Sequence, residues 1–387
     1  MLSVGIDVAK RSHEACVLDA TGQVVCPSLK FPGTRDGVAK LVSLLQGQSS
    51  PATIALEASA HYWQGLYHHL AARGFPVVVV NPLQTEAYRS TGVRKVKNDR
   101  RDAFVIADFL RIGRVQANYV PKEVIVQLRE LTRYRMDLED QIGDAKRRIL
   151  TVLDRVFPEY PDLFSDAFIT SSRSLLKEAV SAADFASFDL EELTRLLHKA
   201  SRGRLGREQA QALQEKARDS LGLAALGPVA HVKVKALLEQ IELLERQVRD
   251  VAATITGLMA RLPQHLITIK GIGPVLAATL LAEIGDVHRF PSLESLVAYA
   301  GIDPSIFESG EFVGRRQHMS KRGSPYLRRA LWLAAHSTRQ WNPDLDAYFR
   351  RKLAEDKPYK VAMGALCRKL LARVYVVLKE GRPYHVR

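Results

Sequence analysis

Cysteine is scarce in this sequence. Three cysteines, Cys16, Cys26 and Cys367, are scattered over 387 residues, which fits neither a disulfide framework nor the spacing of a zinc site. No apolar run reaches the roughly 18 residues that a membrane span needs, and the N-terminus lacks the basic and apolar regions of a secretory signal. These absences predict a cytoplasmic protein of a reducing compartment, without a membrane partner.

An excess of acidic residues is also absent. The 56 Lys and Arg residues outnumber the 42 Asp and Glu residues, which leaves a net charge of +14 and a pI of about 9.7. Such a balance indicates a polyanionic partner, most often nucleic acid, with an anionic membrane surface as the second option. The length predicts two or three domains.

Strand and helix patterns alternate over residues 1–120. Three strand patterns within residues 2–31 are separated by the turn-like stretches KRSH and ATG. A helix pattern, the strand ATIALEAS, a second helix, the apolar strand FPVVVVNP and the helix RRDAFVIADFLRIG follow. Three antiparallel strands followed by strand–helix units predict an α/β domain with a mixed sheet and helices on its faces.

Long helical patterns occupy residues 121–262. Apolar residues keep a heptad spacing over 128–156 and again over 237–262, with a helical insertion at about 160–228 between them. The spacing favours a coiled-coil arm, as an antiparallel hairpin or an oligomerising element; two long helices of a bundle are the alternative. Residues 263–387 form a third, mostly α-helical domain in this interpretation.

Four carboxylates stand out in the first domain. Asp7 lies in the first strand, Glu57 ends the fourth, and Asp99 and Asp102 are three apart, so they share a helix face. Alone, each has an ordinary explanation: a solvated strand residue, a helix cap, or acids favoured at a helix start. If the first and fourth strands are neighbours, all four can converge, and their repulsion then calls for a hard cation such as Mg²⁺ or Mn²⁺.

Basic residues surround these acids and recur in the third domain. Seven Lys and Arg residues lie from Arg94 to Arg114, and six lie from Arg315 to Arg329 without any acid. A charge run is often only a solvated face, but phosphate binding is the alternative. The candidates for nucleic-acid binding in these runs are Arg94, Lys95, Lys97, Arg100, Arg315, Arg316, Lys321 and Arg322.

The segment IKGIGPV has Gly271 and Gly273 just before a helix that begins near Pro274. Glycines permit close approach of a backbone, and a helix N-terminus attracts anions. This pattern predicts a helix-hairpin-helix that grips a nucleic-acid backbone, with a plain packing corner as the alternative.

Three serines lie in or beside the second basic run: Ser309, Ser320 and Ser324. An assisted serine hydroxyl can attack phosphorus. The residues alone do not choose among the three, and each is also suited to a loop or cap.

The motifs GIDVAK, LEAS and VKNDRRDA, in this order, resemble the RuvC-like, RNase H-fold domain of IS110-family (Piv/MooV-like) transposases. The resemblance continues from Gly301 to Leu331, over a C-terminal transposase motif with an SG pair, SKRG and LRRAL. It implies that Asp7, Glu57, Asp99 and Asp102 form a DEDD set that binds Mg²⁺ (or Mn²⁺). It also implies that Ser309 is the nucleophile, with Ser320 as the second choice.

The resemblance further implies a DNA recombinase that acts through a phosphoserine link. Its partners would be donor and target DNA, a bridge (guide) RNA, and other copies of the chain in a dimer or tetramer, at the nucleoid of a bacterial or archaeal cell. Two other hypotheses stay open at this point: a hydrolytic RuvC-like resolvase or nuclease, and a non-catalytic nucleic-acid-binding scaffold.

Overall fold

The computed structural model describes residues 1–90, 98–305 and 318–385, together with the backbone of two short strands at 308–309 and 312–313. Its described residues divide into two compact units, Met1–Val120 and Pro121–Arg387. We call them the N-terminal and C-terminal units.

A five-stranded mixed sheet forms the centre of the N-terminal unit. Its strands are β1 (Leu2–Val8), β2 (Ser12–Leu18), β3 (Val24–Pro32), β4 (Ala52–Glu57) and β5 (Val77–Val80). The order across the sheet is β3-β2-β1-β4-β5. The first three strands are antiparallel, and β4 and β5 run parallel to β1. The predicted mixed sheet is therefore confirmed, with the first and fourth strands as neighbours.

Helices cover both faces of this sheet. They are α1 (Arg35–Gln46), α2 (Trp63–Ala71), α3 (Pro82–Ser90) and α4 (Asp99–Arg111). One face packs on α1 and α2 through a core that includes Val4, Ile6, Leu41 and Leu66. The helix α4 lies on the other face.

Gly5 brings α4 unusually close to β1. A Cβ atom at Gly5 would lie 2.2 Å from the backbone nitrogen of Ala107 and 2.3 Å from the carbonyl oxygen of Ala103. Both are backbone atoms of α4, so no side-chain rotation could make room. The glycine in GIDVAK thus fixes the distance between β1 and the helix that carries Asp102.

The C-terminal unit is almost entirely helical. Its helices are α5 (Glu123–Val156), α6 (Thr170–Glu178), α7 (Ala182–Ser187), α8 (Leu190–Ser201), α9 (Arg207–Arg218), α10 (Gly227–Met259), α11 (Pro274–Ile284), α12 (Leu293–Ala300), α13 (Pro325–Trp341), α14 (Pro343–Ala354) and α15 (Tyr359–Glu380). Between α12 and α13, the two-residue strands β6 (Glu308–Ser309) and β7 (Phe312–Val313) pair antiparallel. The predicted long helices and mostly helical remainder are confirmed.

The helices α5 and α10 pack along each other and enter two cores. At one end their side chains join α6–α9 around Phe157, Tyr160 and Phe185. At the other end Leu128 and Met136 of α5 and Ile255 of α10 join the core of α11–α15. The two long helices are therefore covered by other helices at both ends, which is the bundle-like packing left open above. A coiled-coil arm that engages a second copy of the chain stays a prediction.

The heptad spacing predicted only part of the buried face of α10. Ile241, Leu244 and Ile255 are buried as the pattern predicts, but the stripe continues through Leu238 and Val234, and Val248 is only half-buried. The helices that pack across α10 differ along its length, so one repeat cannot describe the whole. None of the described helices combines the length and the apolar character that a membrane span requires.

Candidate active site

Two carboxylates meet at one edge of the sheet, on the face that α4 covers. The parallel register pairs Ile6 with Leu56, so the next residues, Asp7 and Glu57, lie side by side at the ends of β1 and β4. Side chains alternate along a strand, so Asp7 shares a face with Gly5, which touches α4. Glu57 shares that face with Ala55, which packs on α4 as well.

The first turn of α4 supplies the other two carboxylates. Asn98 caps the helix, and its side chain accepts a hydrogen bond from the backbone N–H of Arg101. Asp99 and Asp102 follow within the first turn; Asp99 is exposed, whereas Asp102 is only 7% exposed. The cap and the close packing at Gly5 together direct this turn toward the ends of β1 and β4.

The pKa of Asp7 is shifted by the charges of the other three acids, which indicates that they lie near it. Burial, followed by the negative charges of Asp102, Glu57 and Asp99, raises the pKa of Asp7 to about 6. The positive charge of Arg89 opposes them. The structure therefore places the other three carboxylates within electrostatic range of Asp7; that the four form one site stays a prediction.

Neighbouring side chains hold two of the acids in place. The hydroxyl of Thr85 donates a 2.7 Å hydrogen bond to Oε2 of Glu57, and Ser59 donates a longer one to Oε1. An amino group of the Arg89 guanidinium lies 3.1 Å from Oδ1 of Asp102. Glu57 does not cap a helix, because Tyr62 occupies the N-cap of α2. Thr85 and Arg89 belong to α3, a helix in which the sequence revealed no site residue.

A fifth carboxylate, Glu14, extends the row and was missed by sequence reasoning. The antiparallel register sets Glu14 of β2 directly opposite Asp7. Cys16, two residues on, packs on α4, so Glu14 faces the same side as Asp7 and Glu57. Glu14 is 7% exposed and accepts a hydrogen bond from Ser28. Counting outward from the KRSH turn would have revealed this pairing.

The donor set fits a hard divalent cation in its chemistry. Carboxylate oxygens are the preferred ligands of Mg²⁺ and Mn²⁺, and the mutual repulsion that raises the pKa of Asp7 is what a cation would relieve. Within the described ranges, however, no three His, Cys, Asp or Glu side chains are arranged as a ready metal site. Binding of such an ion would therefore require side-chain rotation, including movement of Asp102 from Arg89.

In the C-terminal unit, two motif segments run side by side and flank residues 306–317. The backbone N–H of Ser305 donates to the carbonyl of His318 at 2.7 Å, and that of Ser320 donates to the carbonyl of Asp303 at 2.9 Å. The N–H of Lys321 donates to the carbonyl of Gly301 at 3.1 Å. This short ladder joins the segment GIDP to the segment MSKRG.

Two glycines allow this close pairing. Gly301 has a φ of +65° and ends α12 in the left-handed region. A Cβ atom at Gly323 would lie 1.9 Å from the carbonyl oxygen of Tyr299. The glycines of both motifs are thus explained by backbone packing at the base of the segment that carries Ser309.

The three candidate serines differ in their surroundings. Ser309 lies on β6, where its register partner is Phe312 on β7. Ser320 donates a hydrogen bond to Oδ1 of Asp303. Ser324 is the N-cap of α13, where its oxygen accepts from the N–H of Leu327. Ser324 therefore has a structural task, whereas the side chain of Ser309 lies outside the described part.

A buried ion pair lies beneath the MSKRG segment. Glu283 of α11 is fully buried, and both of its carboxylate oxygens accept hydrogen bonds from the guanidinium of Arg133, at 2.7 and 3.1 Å. The hydroxyl of Ser324 donates to Glu283 at 2.8 Å. The guanidinium also lies 4.3 Å from the ring centre of Tyr326. Glu283 thus ties α5 to the start of α13, and sequence reasoning did not identify it.

The two glycines before α11 have different environments. Gly271 has a φ of +93°, and a Cβ atom there would lie 2.6 Å from Cα of Thr338 on α13. Gly273 is exposed, is the N-cap of α11, and has open space where a Cβ atom would lie. The element before them is a 3-10 helix of three residues, Leu266–Thr268. Gly271 therefore packs against a neighbouring helix, and the helix-hairpin-helix stays a prediction.

The basic candidates divide between described and undescribed residues. Arg100, Lys321 and Arg322 are exposed, as phosphate contacts would require, and Lys321 adopts a φ of +53°. The remaining basic candidates lie outside the described residues: Arg94, Lys95, Lys97, Arg315 and Arg316.

Comparison with known families gives two matches. A transposase family model, that of the DEDD transposases of the IS110 type, matches residues 4–158. A second model, described as transposase of the IS116/IS110/IS902 family, matches residues 263–350. The first range includes the four acids, the second includes Ser309, and together they take in more than half of the chain.

Three curated relatives align with the chain over nearly its whole length. A candidate mini-circle transposase of IS117 from Streptomyces coelicolor is 28% identical over 98% of this chain and 94% of its own. A protein of insertion element IS110 from the same organism is 25% identical, with 99% and 95% covered. The pilin gene-inverting protein of Moraxella lacunata is 24% identical, with 99% and 98% covered.

Proposed function

Because the chain belongs to the IS110 family of transposases and is therefore an enzyme that rearranges DNA, we propose that it moves an insertion element by cutting and rejoining DNA. In this proposal Ser309 attacks a backbone phosphate, and the acids of the N-terminal unit act on the same phosphate. The observation that supports the proposal is that Asp7 and Glu57 lie at the ends of neighbouring strands, and that the charges of Asp99 and Asp102 on α4 also raise the pKa of Asp7.

The carboxylate set supports a role for Mg²⁺ (or Mn²⁺). Asp7, Glu57, Asp99 and Asp102 would hold the ion, with Glu14 beside them. When bound, such an ion stabilises negative charge on phosphate oxygens and on the attacking or leaving oxygen. Thr85 keeps the Glu57 carboxylate oriented, and the guanidinium of Arg89 holds the Asp102 carboxylate through a 3.1 Å contact.

The serine chemistry conserves the phosphodiester. A bond forms between Ser309 Oγ and phosphorus as the bond from phosphorus to one sugar oxygen breaks. The serine proton passes to a base or to solvent, and the freed sugar hydroxyl can later attack the phosphoserine ester and restore the serine. No external energy source is needed, because one ester replaces another at each step.

Target choice is proposed to come from a bridge RNA that pairs with donor and target DNA. The net charge of +14 supports binding to nucleic acid in general, and base pairing would supply the sequence readout. A dimer or tetramer would bring two DNA sites together.

A recombination assay with matched serine variants tests the proposed chemistry. Supercoiled donor and target plasmids are incubated with the protein, its copurified RNA and Mg²⁺, and recombinant junctions are counted. We expect Ser309→Ala to reduce junctions by at least about 10³-fold, as loss of a nucleophile does. Asp7→Asn should reduce them by a similar factor.

Ser324→Ala is the matched control, because Ser324 is a helix cap rather than a proposed nucleophile. It should retain recombination at the temperatures where it stays folded. Recombination by Ser309→Ala at the wild-type rate would reject the serine mechanism and favour hydrolysis. If Asp7→Asn were also fully active, the protein would act as a scaffold.

Sequencing the RNA that copurifies with the protein tests the guide hypothesis. We expect one RNA species with segments complementary to both donor and target, and recombination that stops after ribonuclease treatment. A random collection of cellular RNAs, together with ribonuclease-resistant recombination, would remove the RNA from the account while leaving the serine chemistry intact.

A further inference from the structure

A small cavity of about 280 Å³ lies in the N-terminal unit, on the sheet face opposite to α4. It is larger than a phosphate group and falls below the roughly 300–1,000 Å³ of pockets for drug-sized ligands. Its lining residues are Ala9, Lys10, His13, Gly33, Thr34, Arg35, Val38, Tyr62, Gly65, Leu66 and His69. Two of them are permanent cations, two are histidines, and none is a carboxylic acid.

Two imidazole groups in this cavity have buried nitrogen atoms without a partner. His13 is only 5% exposed, and its Nδ1 has no hydrogen-bond partner among the described residues. Nε2 of His69 is likewise buried and unsatisfied. A buried polar atom without a partner costs about 1–3 kcal/mol. Both histidines line the cavity, so a polar ligand bound there is a suitable partner for these atoms.

The cavity also has the N-terminus of α1 at its wall. Thr34 is the N-cap of this twelve-residue helix and accepts a hydrogen bond from the N–H of Gly37. The positive end of a helix dipole and the free N–H groups of the first turn favour an anion. Asp36 on the same turn is exposed and does not line the cavity.

The charged residues that line the cavity, Lys10 and Arg35, are both basic. Burial lowers the pKa of His13. Burial also lowers the pKa of His69, and the positive charges of Arg73 and Arg35 lower it further. Neutral imidazoles can donate one hydrogen bond each to an oxygen anion, and the nearby cations balance its charge.

The cavity lies at the same end of the sheet as the carboxylates. Ala9 and Lys10 lie two and three residues after Asp7, and three residues of chain span at most about 10 Å. His13 packs edge-on against Phe31 in the core under α1 and α2, whereas Asp7 faces α4. A strand of nucleic acid that crosses this sheet edge would thus pass from an acidic face to a basic cavity.

We propose that this cavity binds a backbone phosphate of the nucleic acid that the enzyme processes, next to the phosphate that meets the carboxylates. The inference rests on the proposed function for the identity of the ligand. Lys10 and Arg35 supply charge, and the two histidines and the first turn of α1 supply hydrogen bonds. The site would hold the strand in register across the edge of the sheet.

Binding measurements on the full-length protein test this site. Fluorescence anisotropy compares wild type, Lys10→Gln, Arg35→Gln and the control Lys40→Gln with labelled single-stranded DNA and with RNA of the same sequence. Lys40 is exposed on α1 but does not line the cavity. Lys40→Gln therefore removes the same charge as the other two variants, but outside the cavity. We expect Kd to rise about three- to tenfold for both lining variants, with a salt slope that is shallower by about 0.7 per lost phosphate contact.

The control variant should bind within about 1.5-fold of wild type, because a distant surface charge is screened. Equal losses for Lys40→Gln and Arg35→Gln would overturn the site and leave only a general basic surface. The nucleic acid, DNA or RNA, for which the lining variants show the larger rise in Kd is the source of the bound phosphate. Wild-type affinity of both lining variants for both nucleic acids would also overturn it.

Single methylphosphonate substitutions, which remove the charge of one backbone phosphate, locate the contact. We expect one position to weaken binding to wild type at least threefold and to leave binding to Arg35→Gln unchanged. Interference that persists unchanged in Arg35→Gln would contradict the proposal. Because no cleavage is measured, a protein that binds in this way but does not recombine DNA would reject the proposed function and not the site.

Discussion

The charged form of Asp7 is destabilised by burial and by neighbouring carboxylates. Its pKa of about 6, against an ordinary 3.8, means that the fold favours the protonated carboxyl over the charged one. Its contribution to stability is therefore complete below about pH 4 and is lost as the pH rises through 6. A carboxyl group with a pKa shifted this far is typical of a functional site.

Asp7→Asn should stabilise the metal-free protein at pH 8, by about 1–2 kcal/mol for a partly solvated carboxyl, and should have little effect at pH 4.5. Thermal unfolding in EDTA at both pH values measures the difference. Asp19→Asn is a control of opposite sign. Hydrogen bonds from Thr21 and Gln23 lower the pKa of Asp19, so its loss should destabilise the protein at pH 8. Lower stability of Asp7→Asn at pH 8 would contradict the account.

In the proposed metal site, Arg89 would compete with the cation for Asp102. Arg89→Gln should tighten Mg²⁺ binding severalfold, because a nearby positive charge and the 3.1 Å contact to Asp102 are both removed. It should also lower the melting temperature without metal, since the buried Asp102 carboxylate loses the positive charge of Arg89. Melting temperatures over a Mg²⁺ titration measure both effects, with Arg73→Gln, an exposed arginine, as the control. Unchanged Mg²⁺ affinity in Arg89→Gln would separate Arg89 from the site.

At the scale of elements, the packing of α4 on β1 determines whether the acids converge. Gly5→Ala places a methyl group 2.2 Å from the backbone of Ala107. The helix must move, so we expect a loss of about 3 kcal/mol or more and loss of recombination. Gly65→Ala on α2 is the control, because a Cβ atom there meets nothing within 4 Å. Urea unfolding measures the free energy of unfolding of both variants. Wild-type stability of Gly5→Ala would show that α4 does not pack on β1 as described.

The start of α13 depends on the buried pair of Glu283 and Arg133. Glu283→Gln leaves the guanidinium without its counter-charge, so we expect a loss of about 2–4 kcal/mol in the C-terminal unit. Glu239→Gln, an exposed residue of α10, should change stability by less than about 0.5 kcal/mol. Urea unfolding followed by tryptophan fluorescence measures both. Equal stability of the two variants would mean that the ion pair contributes nothing to the fold.

Local patterns in the sequence predicted much of the sheet and of the acid set. Strand periodicity and the order of elements placed Asp7 beside Glu57, and helix spacing placed Asp99 and Asp102 on one turn. Thr85, Arg89 and Glu283 could not be predicted, because their contacts join segments far apart in the chain. Gly271 looked like a phosphate cradle, but its packing against Thr338 depends on where α13 lies.

At the scale of the whole molecule, the proposed reaction uses a hydroxyl from the C-terminal unit and carboxylates from the N-terminal unit. We propose that both groups act on one phosphate, and a measurement of the reaction products tests this. The family models match both regions, and the net charge of +14 suits a nucleic-acid substrate.

The most direct measurement is the identity of the residue that becomes linked to DNA. Recombination with Mg²⁺ is stopped by denaturation, DNA is digested with nuclease, and tryptic peptides are searched by mass spectrometry for a nucleotide adduct. The account predicts an adduct on Ser309 that is absent from Ser309→Ala and from Asp7→Asn. An adduct on Ser320 or on any other residue, or DNA cleavage at the wild-type rate without a covalent adduct, would contradict it.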